Sequence, residues 1–383
     1  MTLAGVVCGV VGGLVAILAI VLLFVWWCRR PGLSATEYAS VALPVFSYRE
    51  LQIATKNFSE RLGSGGFGSV FKGTLRDSSV VAVKRLEGMN QGEKQFRMEV
   101  STIGIMQHVN LVRLRGFCTE GSRRLLVYEY MPNGSLNSLL HKSQSDDNDE
   151  IESKLLDWKT RFSIAVGTAR AIVYLHEECT DCIIHCDIKP ENILLDSNFC
   201  PKVADFGLAK LMGREYSKVL TTIRGTRGYL APEWLSGLPI TVKADVYSFG
   251  MTLLEIIAGR KNMDVDSESS DQVYFPTWAA TQINGGNAME VLDKKLMNDA
   301  DAEEVKRAAI VAGWCIQDDE DERPSMSQAL QILQCIVDVP PLPPIPLSLQ
   351  TFALKPESLV LFSWDEDTSA RARNNSDHPS NPL

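Results

Sequence analysis

His185-Cys186-Asp187-Ile188-Lys189-Pro190-Glu191-Asn192 and, downstream, Asp205-Phe206-Gly207 place two aspartates, a lysine and an asparagine in an order suited to phosphate chemistry. Asp187 can accept the proton of an incoming hydroxyl, and Lys189 can neutralise charge on a phosphoryl group in transfer. Asn192 offers an oxygen to Mg²⁺, and Asp205 offers the ion its main carboxylate. Magnesium takes one or two carboxylates together with substrate phosphates, which is the set these residues supply.

Upstream, Gly63-Ser-Gly65-Gly-Phe-Gly68-Ser-Val70 has the pattern G-x-G-x-x-G-x-V. Alone this is a weak signal, because glycine is common. Its context is stronger: strand-like residues flank it, and Val70-Phe-Lys-Gly follows, so the spacing predicts a loop between two antiparallel strands. A dinucleotide fold would open a helix directly after the glycines, and none is signalled. Gly63, Gly65 and Gly68 would let backbone N–H groups approach phosphate oxygens with no Cβ in the way. Val81-Ala-Val-Lys84 then reads as an alternating strand whose terminal lysine reaches the α- and β-phosphates. Glu99, in the helical pattern that follows, is the carboxylate best placed to hold that ammonium. Ala231-Pro232-Glu233 closes the set, and motifs in this order do not arise by accident.

Taken together they resemble the motifs of the eukaryotic protein kinases, and residues 57–339 are similar to a complete kinase domain. A finer resemblance is to plant receptor-like kinases, with the S-domain (G-type lectin) subgroup nearest. It is carried by Phe46-Ser-Tyr-Arg-Glu-Leu-Gln-Ile-Ala-Thr-Lys-Asn-Phe58, Gly225-Thr-Arg-Gly-Tyr-Leu-Ala-Pro-Glu-Trp234 and Asp245-Val-Tyr-Ser-Phe-Gly250. The resemblance implies an α+β, bilobal fold. A small β-rich lobe (57–131) would carry Lys84 and Glu99, and a helical lobe (132–339) Asp187 and Asp205, with ATP between them. It implies that Leu62, Val70, Ala82 and Leu194 sandwich the adenine, that Tyr128 is the gatekeeper, and that the backbone of Glu129 and Met131 forms the hinge. Thr226 would contact Asp187, and Arg323 would pair with Glu233. Lys189 is the serine/threonine version of the catalytic loop, so the implied acceptor is a protein Ser or Thr hydroxyl.

One position departs from the family. The residue before the catalytic aspartate is usually arginine, which pairs with a phosphorylated activation-loop residue. Here it is Cys186, and a thiol cannot form that charge-assisted pair. Phosphorylation of Thr221, Thr222 or Thr226 is therefore not expected to switch activity on by that route.

Before the kinase-like region, residues 3–27 carry no charge and are long enough for a bilayer-spanning helix. Trp26 and Trp27 would sit at the interface, and Arg29 and Arg30 place the C-terminal bulk of the chain in the cytosol, so a single-pass cell-membrane protein is expected. Gly5, Gly9 and Gly13 share a helical face and allow homo- or hetero-dimerisation in the membrane. Cys28 at the membrane edge is a weak palmitoylation candidate. Residues 28–56 read as a juxtamembrane segment, and the acidic stretch Ser143–Glu152 as a solvated loop. From Pro340 the Pro-rich stretch reads as a spacer into a disordered tail, 340–383, in preference to a groove-binding ligand. With two residues ahead of the apolar run, an ectodomain is expected to be absent.

The 383 residues are 45% hydrophobic, enough for a large core, and the net charge of −9 argues against nucleic acid as a partner. The nine cysteines show no regular framework and read as reduced thiols, Cys179, Cys182 and Cys186 included, although with His185 they superficially suggest zinc ligands. The competing reading is a pseudokinase or membrane scaffold, which loss of Lys84, Asp187 or Asp205 would favour; all three are present. A truncated receptor that interferes with full-length relatives is a further alternative.

Overall fold

The computed structural model describes residues 43–65, 68–104, 106–141, 156–212, 218–219, 224–263 and 274–349. The apolar run at 3–27 with Gly5, Gly9 and Gly13, Cys28, the acidic stretch at 143–152, and Thr221 and Thr222 all lie outside these. Among the described residues no helix is long and apolar enough to cross a membrane.

Chain order begins with α1 (Tyr48–Ala54), then β1 (Arg61–Gly65), β2 (Gly68–Thr74), β3 (Val80–Arg85), α2 (Met89–Ile103), β4 (Leu114–Cys118) and β5 (Leu125–Glu129). The strands form one antiparallel sheet in the order β1-β2-β3-β5-β4. Successive side chains on a strand point to opposite faces. In β3, Val81 and Val83 are fully buried and pack with Val127, Leu125, Cys118 and Leu51 of α1, so one face of the sheet is covered by the first helix. The alternate residues Val70, Ala82 and Lys84 share the other face by register, through the pairs Val70↔Lys84, Lys72↔Ala82 and Ala82↔Tyr128.

Part of the segment 28–56, read as juxtamembrane, packs against this sheet. From Pro44 the chain lies along β4: the Phe46 N–H donates to the Phe117 carbonyl at 2.8 Å, and the Phe117 N–H donates to that of Pro44 at 3.1 Å. Gly116 makes room, since a Cβ there would stand 2.4 Å from the Pro44 carbonyl oxygen and 2.5 Å from the Phe46 ring. Ser47 and Glu50 form a reciprocal capping box at the start of α1, satisfying donors that a helix start otherwise leaves unpaired.

The helical part comprises α3 (Leu136–Leu140), α4 (Trp158–Val173), α5 (Pro232–Leu235), α6 (Lys243–Ala258), α7 (Phe275–Asn284), α8 (Ala288–Val291), α9 (Ala302–Cys315) and α10 (Met326–Leu333). Two short antiparallel pairs join β6 (Cys182–Ile184) to β9 (Lys210–Met212), and β7 (Ile193–Leu195) to β8 (Pro201–Val203). Helix α6 is the axis of this part: every residue from Ala244 to Ile257 is buried. Helix α9 crosses it closely, because a Cβ on Gly250 would come within 2.6 Å of Cys315 Cβ.

The expectation of a disordered tail from Pro340 is corrected for 340–349. Polyproline backbone leaves its carbonyls free to accept. Pro341, Pro343 and Pro344 accept from Trp314 Nε1 (2.9 Å), Asn284 Nδ2 (3.0 Å) and Gln317 Nε2 (3.0 Å). Leu349 is buried, and its carbonyl takes a bond from Thr277 Oγ1 at 2.9 Å. The segment straps α7 to α9; residues 350–383 lie outside the described residues.

Candidate active site

Lys84, next to last in β3, is a buried ammonium, with Nζ 2.8 Å from Glu99 Oε1 on α2 and 2.8 Å from Asp205 Oδ1. One lysine thus ties the sheet, the helix and the strand-end loop of the helical part. Burial works against the Lys84 charge, but Asp205 and Glu99 outweigh it and hold the ammonium above the usual lysine pKa. Burial likewise opposes the Asp205 charge, yet Lys84 pulls its carboxyl below the ordinary range. Glu99 is fully buried and pushed up, by burial and then by the Asp205 charge, against the pull of Lys84. Its second oxygen, Oε2, accepts from the phenol of Tyr128, which burial and the Glu99 charge keep protonated.

Asp205 adopts a left-handed backbone (φ 66°), and the Gly207 N–H closes the turn onto Oδ1 at 3.4 Å. Gly207 packs closely on α2: a Cβ there would lie 2.2 Å from Gln95 Nε2, so that side chain would have to shift. Asp187 sits on the loop after β6, and Oδ1 accepts from Thr226 Oγ1 at 2.9 Å. Its Oδ2 accepts from Asn192 Nδ2 at 2.9 Å and lies 2.9 Å from Lys189 Nζ. Lys189 Nζ also donates to Thr226 Oγ1 at 2.5 Å. Asn192 spends its Nδ2 on Asp187, which leaves Oδ1 as the atom with which it would ligate a metal.

What holds this loop is Asp245, which the sequence marks only as part of a family motif. Fully buried in α6, its carboxylate accepts from the His185 N–H (2.7 Å), the Cys186 N–H (2.8 Å) and His176 Nε2 (2.9 Å). An acidic residue inside a wholly buried helix was the available signal, since such groups are buried only when paired. His185 accepts the Asp187 N–H on Nδ1 (3.2 Å), so its Nε2 is the donor to the Ala204 carbonyl (3.0 Å). Both ring nitrogens are therefore engaged in shaping the loop. Cys186 has φ 70° and a buried side chain whose Sγ faces the Ile184 carbonyl at 3.6 Å; burial and Asp245 push its thiol well up.

The glycine loop is a β1–β2 hairpin, as the spacing predicts. Its glycines divide by physical need. A Cβ on Gly63 or Gly65 would meet nothing within 4 Å, so the space beside them is open. Gly68 is different: φ is 123°, and a Cβ would stand 2.1 Å from the Arg85 carbonyl oxygen, so the hairpin itself requires glycine there. Of the adenine set, Val70 and Ala82 share the Lys84 face, Leu62 is exposed on β1, and Leu194 is half-buried on β7, bridged to Ser135 just past the hinge. Glu129 ends β5, and Met131 follows with its carbonyl accepting the Gly134 N–H at 3.2 Å. Arg323 donates to both oxygens of Glu233 at 2.8 Å, as expected.

A model of the protein kinase domain matches residues 57–333. A G-type lectin S-receptor-like serine/threonine-protein kinase of Arabidopsis thaliana is 63% identical over 326 residues, covering 84% of this chain and 38% of its own length. A second from the same plant is 58% identical over 321 residues (82% and 39%), and one from Oryza sativa subsp. japonica 43% over 345 (87% and 41%). The chain spans about two fifths of the length of these relatives. With its motifs, its sheet-and-helix architecture and these matches in agreement, the chain belongs to the protein kinase domain family and stands in it with the plant S-domain receptor-like serine/threonine kinases.

Proposed function

We propose that this protein is a membrane-anchored serine/threonine kinase that transfers the γ-phosphate of Mg·ATP to protein hydroxyls in receptor-type signalling. The observation that carries the reading is Lys84, shared between Glu99 and Asp205, beside a second cluster in which Asp187, Lys189, Asn192 and Thr226 touch one another. A buried lysine between two carboxylates fits a nucleotide: phosphate oxygens can replace Asp205 at the ammonium, which releases Asp205 to a cation. Asp205 and Asn192 Oδ1 would hold a Mg²⁺ ion, which would supply positive charge to the phosphates.

The remaining chemistry belongs to side chains. Asp187 orients the acceptor hydroxyl and takes its proton; Thr226 and Asn192 hold that carboxylate in one rotamer. Lys189, already 2.9 Å from Asp187, supplies positive charge where the phosphoryl group passes. Glu99 keeps Lys84 from swinging on its four-carbon stem. Open space beside Gly63 and Gly65 lets backbone N–H groups face phosphates, while Val70, Ala82, Leu62 and Leu194 offer apolar cover for adenine against the Glu129–Met131 hinge.

The apolar, uncharged run 3–27 with Arg29 and Arg30 behind it supports a single-pass cell-membrane anchor with the kinase in the cytosol, and Gly5, Gly9 and Gly13 support pairing of helices within the bilayer. The test is incubation of the full chain in nanodiscs with Mg·ATP, followed by phosphosite mapping. Lys84→Ala and Asp205→Asn serve as controls. Equal incorporation in all three, or none in any, rejects the enzyme; recovery of the chain from carbonate-washed membranes checks the anchor.

A further inference from the structure

Cys186 has no charge with which to hold a phosphorylated activation segment, yet the described part of that segment is held. The anchor lies in the loop between α9 and α10. Lys218 Nζ is 2.8 Å from Glu320 Oε1, and Thr241 Oγ1 donates to Glu320 Oε2 at 3.1 Å. Between these contacts Val219 and Ile240 exchange both backbone hydrogen bonds, at 2.9 and 2.8 Å, and Ile240 is fully buried.

The loop carrying Glu320 is itself rigidly placed. Arg323, buried, donates to the carbonyls of Gln317 (2.7 Å), Asp318 (3.1 Å) and Lys243 (2.9 Å) as well as to Glu233. Lys243 Nζ returns to the Glu320 carbonyl at 3.1 Å. Continuous contacts therefore run from Glu233, which closes the activation segment, through Arg323 and Glu320, and back to Lys218, which precedes Thr226 in the chain.

We propose that Glu320 is a positioning residue that holds the activation segment in register through Lys218 and the Val219–Ile240 bridge, without a phosphate. The inference rests on the kinase reading for its catalytic consequence, but not for its structural one. Lys218 lies eight residues before Thr226, whose hydroxyl donates to Asp187, so its displacement is expected to be felt in acceptor-peptide binding. An exposed ion pair contributes modestly, and reversing one charge adds repulsion of similar size. The effect expected is therefore graded.

The test uses the full chain in nanodiscs, with Lys218→Glu, Glu320→Lys, Glu320→Gln and the Lys218→Glu/Glu320→Lys exchange. Amide hydrogen exchange at Val219 and Ile240 is read by mass spectrometry, and acceptor-peptide and ATP kinetics in parallel. Lys218→Glu is expected to speed that exchange about tenfold and to raise the peptide KM about three- to tenfold, with the ATP KM within about twofold. Glu320→Gln should give a smaller change in the same direction, and the charge exchange should return both readouts to within about twofold of wild type. Unchanged amide exchange in Lys218→Glu, or a charge exchange no better than the worse single variant, overturns the proposal. So does a greater than tenfold loss of wild-type peptide phosphorylation after phosphatase treatment. Asp187→Asn in the same assay tests the kinase reading by itself, and the exchange readout stands whether or not transfer is seen.

Discussion

The phenol of Tyr128 donates to Oε2 of Glu99, the carboxylate whose other oxygen holds Lys84. A residue of β5 therefore shares control of the lysine with the helix facing it. Tyr128→Phe would leave a fully buried carboxylate oxygen without its partner, a loss of about 1–3 kcal/mol. The expected outcome is a lower melting temperature and nucleotide binding weakened about tenfold, measured by thermal denaturation and by titration with Mg·ATP. Unaltered binding would show that Lys84 alone positions Glu99.

Thr226 is committed to both Asp187 and Lys189, so modifying its hydroxyl should silence the enzyme and cannot activate it. Thr226→Ala removes a hydrogen bond to a charged group, about 1.5–3 kcal/mol, and is expected to cut kcat/KM by about ten- to a hundredfold. Thr226→Ser should retain activity within a few-fold. Thr226→Asp should fall with the alanine variant, and activity above wild type in Thr226→Asp would refute this account.

Leu51 is fully buried against the sheet. Leu51→Ala is expected to cost about 2–5 kcal/mol, read as a lowered denaturation midpoint of the full chain. Removing residues up to 56 should act in the same direction, because Phe46 and Tyr48 leave with it. No change in midpoint would return this stretch to the status of a linker.

At Gly313 an added Cβ would stand 2.4 Å from the Pro343 ring. Gly313→Ala should push the 340–349 strap off α7 and α9, so that protease cleavage after Pro340 becomes faster while cleavage elsewhere does not. Equal cleavage in both proteins would show that the strap carries no local stability.

Cys186 is buried with its thiol held protonated, whereas Cys335 is exposed. Because the thiolate is the reactive form, brief alkylation of the folded chain at pH 8 should label Cys335 and spare Cys186, with both labelled after denaturation. Native labelling of Cys186 to a similar extent would contradict the buried geometry.

Motif spacing singled out Lys84, Asp187, Asn192 and Asp205, because the phosphate chemistry proposed for them restricts residue type whatever surrounds them. Local pattern also sufficed for the β1–β2 hairpin and for the alternation of β3. Periodicity could not mark where the domain ends. Residues 44–56 and 340–349 read as linker and tail because their partners, β4 in one case and α7 with α9 in the other, lie far away in sequence. Gly68 reads in the sequence as a phosphate contact, yet its φ and the nearby Arg85 carbonyl show that the hairpin needs it.

By itself the sequence determined the family, singled out the side chains proposed to handle phosphate, and marked Cys186 as a departure from the usual loop. Only the tertiary structure decided what secures them: Asp245 beneath the catalytic loop, Tyr128 on Glu99, and Arg323 with Glu320 behind the activation segment. The reason is physical. A charge that meets a phosphate is dictated by chemistry at one position, whereas a buried support depends on which distant backbone and side-chain groups folding brings within about 3 Å of one another.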